Sequence, residues 1–152
     1  MDVSVSQNTG LRNARMLARL ACEFEGVAGD ADEKFYGERV RFGEMALNLY
    51  AHQIFPNTPA SSPVRREFQA LSDYVKAAER YFKAYKSAIA EHETFEAGSV
   101  MMVNDPSQPY PTEWEKSQAE RTRERYAEAD ELRKGETAAR AAFLDLLDSA
   151  DL

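Results

Sequence analysis

The stretch from Val64 to Ile89 places apolar residues at alternating spacings of four and three. These residues are Val64, Phe68, Leu71, Val75, Ala78, Phe82, Tyr85 and Ile89. A seam of this kind, sustained over more than three heptads, predicts one long helix that packs against other helices. Five further residues widen the apolar face, which is typical of a helix at the centre of a bundle: Tyr74, Ala77, Tyr81, Ala84 and Ala88. Ser62 followed by Pro63 predicts its start, and Gly98 its end.

Two shorter helices are predicted before this central one. The first covers about residues 8–27, with an apolar stripe that includes Leu11 and Ala18, and the glycines at 26 and 29 end it. The second begins at Asp30, which forms a pattern similar to a capping box with Glu33. The proline-rich segment at residues 56–63 then ends it, because proline cannot continue a helix.

The last predicted helix begins at Thr112, with Glu115 three residues later in a capping-box pattern. Its first part, residues 113–134, is very polar, and Gly135 leaves open whether it continues or breaks into a fifth helix. An apolar stripe then returns, and we expect it to pack near Val64 to Val75. The stripe consists of Ala139, Phe143, Leu146 and Leu147.

These segments predict an all-α fold in one domain over residues 1–152. Helix-favouring residues dominate, and no stretch alternates apolar and polar residues with the period of a strand. We expect an antiparallel bundle of four main helices, or five if the last one breaks at Gly135. The third and fourth helices would form a long hairpin. Residues 98–111, which contain three prolines, would form the loop at its tip.

Residues suited to catalysis are few, so the chain is predicted not to be an enzyme and to use no catalytic residue, cofactor or metal. Cys22 is the single cysteine; we expect a small buried side chain whose pKa is raised by Glu23 and Glu25. Neither His52 nor His92 belongs to a Glu-x-x-His pattern, and no glycine-rich phosphate loop is present. The alternative left open is a small enzyme that uses one of these histidines beside a carboxylate.

The negative charge is concentrated, and this constrains the partners. The net charge is −7, and residues 91–120 hold seven carboxylates against one lysine. Phosphate binding needs clustered Lys and Arg, so neither nucleic acid nor anionic lipid is an expected partner. No apolar run is long enough for a membrane span, and the N-terminus does not resemble a signal peptide. We therefore predict a cytoplasmic protein whose partner is a protein with a basic surface.

The hairpin tip is the predicted binding surface, because it combines aromatic residues and methionines with carboxylates. The predicted partner-binding residues are Phe95, Glu96, Met101, Met102, Asp105, Tyr110, Glu113 and Trp114. An apolar anchor with a charged rim is typical of a protein interface. The alternative is that the apolar residues fold back and plug the end of the bundle.

Two other surfaces of the predicted bundle are candidates for binding. Arg12, Arg15 and Arg19 form a basic stripe on the first helix, interpreted as a solvated face or as a contact to an acidic patch. The seam around Phe82 to Ile89 faces a polar fourth helix, so a second copy could cover it. Arg is more frequent than Lys, which favours a bacterial or phage genome.

The predicted function is a non-enzymatic inhibitor, adaptor or regulator that binds a protein through the tip. The alternative is a structural subunit of an assembly such as a phage particle, forming a homo-oligomer through the seam.

Overall fold

The computed structural model describes residues 5–24, 32–103 and 112–150. This part of the chain forms four α-helices and no strand. The helices are α1 (Val5–Glu23), α2 (Asp32–Leu49), α3 (Pro63–Val103) and α4 (Glu113–Ser149). A π-helical turn over Tyr50–Ile54 and a 3-10 turn over Phe55–Asn57 follow α2. The predicted all-α bundle is confirmed, and so is the long hairpin, because α3 packs most extensively against α4.

Both predicted starts of the hairpin helices are confirmed by their capping contacts. At α3, the backbone N–H of Val64 donates to the hydroxyl of Ser62 over 3.3 Å. At α4, the N–H of Glu115 donates to the hydroxyl of Thr112 over 3.1 Å, and the Glu115 carboxylate accepts from the N–H of Thr112. These contacts satisfy backbone donors that the first turn leaves without partners. The Asp30 cap predicted for α2 lies outside the described residues.

Three predicted boundaries differ from the structure. Helix α3 does not end at Gly98 but continues to Val103, so residues 98–103 of the predicted loop are helical, while residues 104–111 lie outside the described part. Helix α4 runs unbroken through Gly135, which makes four helices rather than five. A single glycine costs a helix about 1 kcal/mol, which tertiary packing on neighbouring turns easily offsets. Helix α1 ends at Glu23, earlier than predicted.

The main core lies at the end of the hairpin where α1 and α2 cover it. Its buried residues come from all four helices and the π-helical turn: Ala14, Ala18, Cys22, Ala46, Tyr50, Leu71, Tyr74, Val75, Ala78, Phe143 and Leu147. The C-terminal stripe therefore packs against the α3 segment that was predicted for it. Within that stripe Phe143 and Leu147 are buried, but Leu146 is 39% exposed.

The most buried row of α3 is rotated from the predicted seam. It follows Glu67, Leu71, Tyr74, Ala78, Tyr81 and Ala88, and Val75 of the predicted seam is buried beside it. Helix α3 packs against both α4 and α2, so residues beside the predicted seam are buried as well. The seam residues Phe82, Tyr85 and Ile89 are half-buried. Phe82 lies against Gly37 of α2, so the chain itself covers part of the seam, and the argument for covering it with a second copy is weakened.

Candidate functional site

The hairpin projects well beyond the main core. Ala78 is the last α3 residue in the buried core cluster, and the helix continues from there to Val103, about 38 Å at 1.5 Å per residue. A smaller cluster around Tyr81 and Ala129 joins α3 to α4 along the first part of this extension. We call the described residues 91–98 and 112–120 the distal tip.

An aromatic pair occupies the distal tip. The rings of Phe95 and Trp114 stack with their centroids 6.4 Å apart and their planes 8° from parallel. Trp114 also lies against Gly98, at a place where any Cβ would overlap the indole ring. Both aromatic side chains nevertheless remain only half-buried. The sequence left two interpretations of these apolar residues: they anchor a partner, or they plug the end of the bundle. Trp114 has features of both, since it packs across the hairpin and remains partly exposed.

Exposed carboxylates flank this aromatic pair. Glu96 has 65% of its side chain exposed and Glu113 has 94%. Each contacts one basic side chain on its own helix: Oε1 of Glu96 lies 2.9 Å from Nε2 of His92, and Oε1 of Glu113 lies 3.5 Å from Nζ of Lys116. Contacts at this exposure are weakly held. The carboxylates are therefore available to an incoming cation.

A polar contact across the hairpin fixes the two helices at the base of the tip. Gln118 of α4 donates through Nε2 to the carboxylate of Glu91 and, over 3.4 Å, to its backbone carbonyl. Gln118 is buried and Glu91 is half-buried. Glu91 therefore holds the two helices together and is not one of the exposed carboxylates that flank the aromatic pair.

Four of the eight predicted partner-binding residues are brought together by the structure. Phe95, Glu96, Glu113 and Trp114 all lie on the distal tip. Met101 and Met102 belong to the last turn of α3, but their side chains are outside the described part of the chain. Asp105 and Tyr110 also lie outside the described residues.

One buried polar group that the sequence reasoning missed joins α1 to α3. Arg15 was predicted on a solvated stripe with Arg12 and Arg19, but it is buried, with Nε 2.9 Å from Oε1 of Glu67. The hydroxyl of Tyr50 donates to the second Glu67 oxygen over 3.0 Å. The sequence does contain a sign that Arg15 is buried, because it lies in one row with apolar residues of α1 at spacings of four and three. That row is Leu11, Arg15, Ala18 and Cys22.

A second buried pair, also missed, joins α2 to α4. Nη1 of Arg39 lies 3.7 Å from Oε1 of Glu136, and their side chains are 5% and 1% exposed. The Nε of Arg39 also donates to the backbone carbonyl of Phe24 over 2.9 Å. Both pairs sit between helices and away from solvent, so we assign them a role in fixing helix packing.

Cys22 is buried, as predicted, and its thiol is held in the neutral form. Burial raises the pKa of Cys22 to about 12, and this desolvation outweighs the nearby charges of Arg140 and Arg39, which lower it. Glu23 also raises the pKa, but less than burial does, so the predicted cause was secondary. A neutral thiol is a poor nucleophile at neutral pH.

The two histidines lie on the surface. His52 is exposed, and His92 is 46% exposed beside Glu96 on the distal tip, with its ring 6.3 Å from that of Tyr126. Among residues 5–24, 32–103 and 112–150, no three His, Cys, Asp or Glu side chains cluster in a way that could hold a metal ion.

No helix in the described part of the chain is both long enough and apolar enough to cross a membrane. Comparison of the chain with protein-family models, with curated proteins and with solved structures finds no match.

Proposed function

We propose that this chain is a non-enzymatic helical protein that binds a protein partner through the distal tip. One observation carries the proposal: the half-buried pair of Phe95 and Trp114 is flanked by the exposed carboxylates of Glu96 and Glu113. A partially exposed aromatic anchor with a charged rim is the arrangement in which protein interfaces concentrate their binding energy.

The chemistry of the tip favours a partner with a small apolar pocket bordered by Lys or Arg. The indole and phenyl rings would supply buried apolar area, and the loss of one such aromatic anchor typically costs about 2 kcal/mol or more. The carboxylates would mainly speed the encounter and select basic surfaces over acidic ones. Acting in this way, the protein would serve as an inhibitor, adaptor or regulator.

The framework suits this role because the tip is presented by two long, paired helices. The contact between Trp114 and Gly98 and the contact between Gln118 and Glu91 hold the described tip residues in place before a partner arrives. Little conformational entropy then has to be lost on binding, which favours affinity.

The cleanest test reverses charge at the tip without disturbing its packing. The variant Glu96→Lys/Glu113→Lys changes two exposed side chains, whereas Trp114→Ala would also remove the packing on Gly98. A matched control, Glu44→Lys/Asp145→Lys, makes the same charge change at exposed positions on α2 and near the end of α4. The probe is a random peptide display library panned against the chain of residues 1–152.

The proposal expects enriched peptides that carry Lys or Arg beside an aromatic or aliphatic residue. Their affinity should fall at least about tenfold for the tip variant and stay unchanged for the control. Circular dichroism should show the same helix content in all three proteins. Enriched peptides that bind the tip variant as well as the wild type would contradict the proposal, and so would a library that yields no binder.

Composition and charge are the basis for proposing three further properties: the partner's surface charge, the location of the protein and its source. The partner surface is basic, the location is the cytoplasm of a bacterial or host cell, and the source is a bacterium or a phage. A second candidate function is a structural subunit of a multi-protein assembly. It is favoured by two complementary charged surfaces. One lies on α3 and carries Lys76, Arg80 and Lys83, and the other lies on α4 and carries Glu120 and Glu124.

A further inference from the structure

A groove with a basic wall runs between α3 and α4 on one side of the hairpin, below the distal tip. Its volume is about 280 Å³, and it is lined by Arg80, Lys83, Ala84, Ser87, Arg125, Glu128 and Leu132. Lys76 and Glu79 continue it one turn further along α3. We call this surface the basic groove. It is a positive surface on a chain whose net charge is −7.

The cations of α3 in the basic groove are available to bind. Lys76, Arg80 and Lys83 are all exposed, and none of them has a carboxylate of the described chain within ion-pair distance. Between the two helices, Ala84 and Leu132 are half-buried and give the groove an apolar floor. A ligand that combines carboxylates with small apolar groups would fit both features.

The outer face of α4 carries the complementary charge. Glu113, Glu120, Glu124 and Glu131 follow one another at spacings of seven, four and seven, which places them on one helical face. We call them the acidic row. All four are exposed. Glu113 and Glu131 pair with neighbouring lysines of α4, but Glu120 and Glu124 have no cation of the described chain within ion-pair distance.

We propose that a second copy of this chain lays its acidic row into the basic groove. The lengths agree: the α3 wall of the groove, from Lys76 to Ser87, spans about 16 Å, and Glu120 to Glu131 spans about 16 Å of α4. Exposed Ala127 lies between these carboxylates and would meet the apolar floor. The contact relies on Glu120 and Glu124 and not on the aromatic pair of Phe95 and Trp114, so it is independent of the partner binding proposed for that pair.

The row and the groove are separate surfaces of each copy. Arg125 and Leu132 face the groove, whereas their neighbours Glu124 and Glu131 lie on the outer face, so each copy offers its row and its groove on different faces of α4. Such a contact either closes into a two-fold dimer, in which each row lies in the other copy's groove, or repeats into a ring or an extending chain. Because the groove is small and the paired charges are exposed, the association is weak and sensitive to salt.

Sedimentation velocity of the chain of residues 1–152 tests this directly. The wild type should sediment as a monomer at low protein concentration and as larger species as the concentration rises, in about 20 mM NaCl. Raising the salt to about 0.5 M should raise the apparent Kd at least about tenfold, because the charges are then screened within a few ångströms.

Two charge-reversed variants then locate the contact. The groove variant is Lys76→Glu/Arg80→Glu/Lys83→Glu, and the row variant is Glu120→Lys/Glu124→Lys. Each alone should remain monomeric, because its groove and its row carry the same sign. An equal mixture of the two should associate again, since each groove then meets a row of opposite sign. The control Arg12→Glu/Arg41→Glu/Arg66→Glu, exposed at the other end of the molecule, should associate like the wild type.

Several results would overturn the inference. One is a wild type that stays monomeric at low salt at every concentration. Another is association that persists in the groove variant, which would place the contact elsewhere. A third is a monomeric wild type whose groove binds a DNA or RNA oligonucleotide and loses it in the groove variant, which would assign the groove to nucleic acid. Loss of association without rescue in the mixture would also reject the pairing of row with groove.

Discussion

The indole ring of Trp114, in the first turn of α4, lies against the backbone of Gly98 in α3. Any side chain at position 98 would overlap the ring, so the close approach of the two helices at the tip depends on glycine there. The same contact orients the edge of Trp114 that remains exposed. The contact between Trp114 and Gly98 therefore determines both how closely the helices pack at the tip and which part of Trp114 is exposed to a partner.

The variant Gly98→Ala should loosen the distal tip even though alanine favours helix. The added methyl group must displace the indole, and overpacking of this kind costs about 1–3 kcal/mol. Trp114 is the only tryptophan, so its fluorescence reports on this site alone. We expect a red-shifted emission and an earlier loss of the tryptophan signal in urea.

Gly135→Ala provides the matched control. Gly135 is also a glycine within a helix, but it is exposed, and no atom lies within 4 Å of the position its Cβ would occupy. Alanine there should stabilise the protein by about 0.5–1 kcal/mol and leave the emission unchanged. Equal stabilisation by both substitutions would show that Trp114 does not rest on Gly98 in solution.

Glu67 should be among the residues that are least tolerant of change. It accepts hydrogen bonds from Arg15 and Tyr50 in the main core, where all three side chains are buried. Glu67→Ala leaves the guanidinium of Arg15 buried without its counter-charge, and breaking a buried pair in this way costs about 3–5 kcal/mol. Urea unfolding followed by circular dichroism measures the loss.

Two companion variants separate the charge from the hydrogen bond. Arg15→Met/Glu67→Leu removes both charges and should lie much closer to the wild type than Glu67→Ala does, because no buried charge is left without a partner. Tyr50→Phe removes one hydrogen bond and should cost about 1–3 kcal/mol. If the double variant were as unstable as Glu67→Ala, the unpaired charge could not be the cause.

The fold was predictable from the sequence because two kinds of signal agree along α3 and α4. The four-three spacing of apolar residues sets the central helix, and the caps at Ser62 and Thr112 set where the two helices start. Helix ends were less predictable. Gly98 has the character of a helix stop, but α3 continues through it, and the indole of Trp114 fills the space that a side chain at this position would need.

The candidate site was only partly predictable, for a related reason. Sequence places Phe95 and Trp114 in one acidic segment, but their stacking depends on the register of two antiparallel helices. Charged residues were the main source of error. Arg15 and Glu136 are the residue types that usually face solvent, and each is buried because a partner of opposite charge arrives from a distant helix.

The thiol of Cys22 should react only when the protein opens. It is 1% exposed, and burial raises its pKa to about 12, so the reactive thiolate is scarce at neutral pH. A disulfide reagent such as DTNB should label native protein far more slowly than protein unfolded in urea. Rapid labelling of the native protein would show that the main core opens at this point.

Stability should also fall steeply on the alkaline side. The pKa of Cys22 is raised from 9.0 to about 12 on folding, so the folded state holds its proton more tightly than the unfolded chain does. The stabilising contribution is complete below about pH 9 and is lost as the pH rises towards 12. Burial raises the pKa values of Tyr50 and Tyr74 as well, which adds to the loss above about pH 10.

The variant Cys22→Ala isolates the contribution of the thiol to this pH dependence. Between about pH 8 and pH 10 the wild type should lose about 1.4 kcal/mol of unfolding free energy through Cys22, because one pKa unit corresponds to that amount. The variant lacks the group, so its free energy of unfolding should fall less over the same range, whatever its stability at neutral pH. Urea unfolding at several pH values gives both slopes. Parallel slopes would mean that the thiol ionises as easily in the folded protein as in the unfolded chain, and would contradict the raised pKa of Cys22.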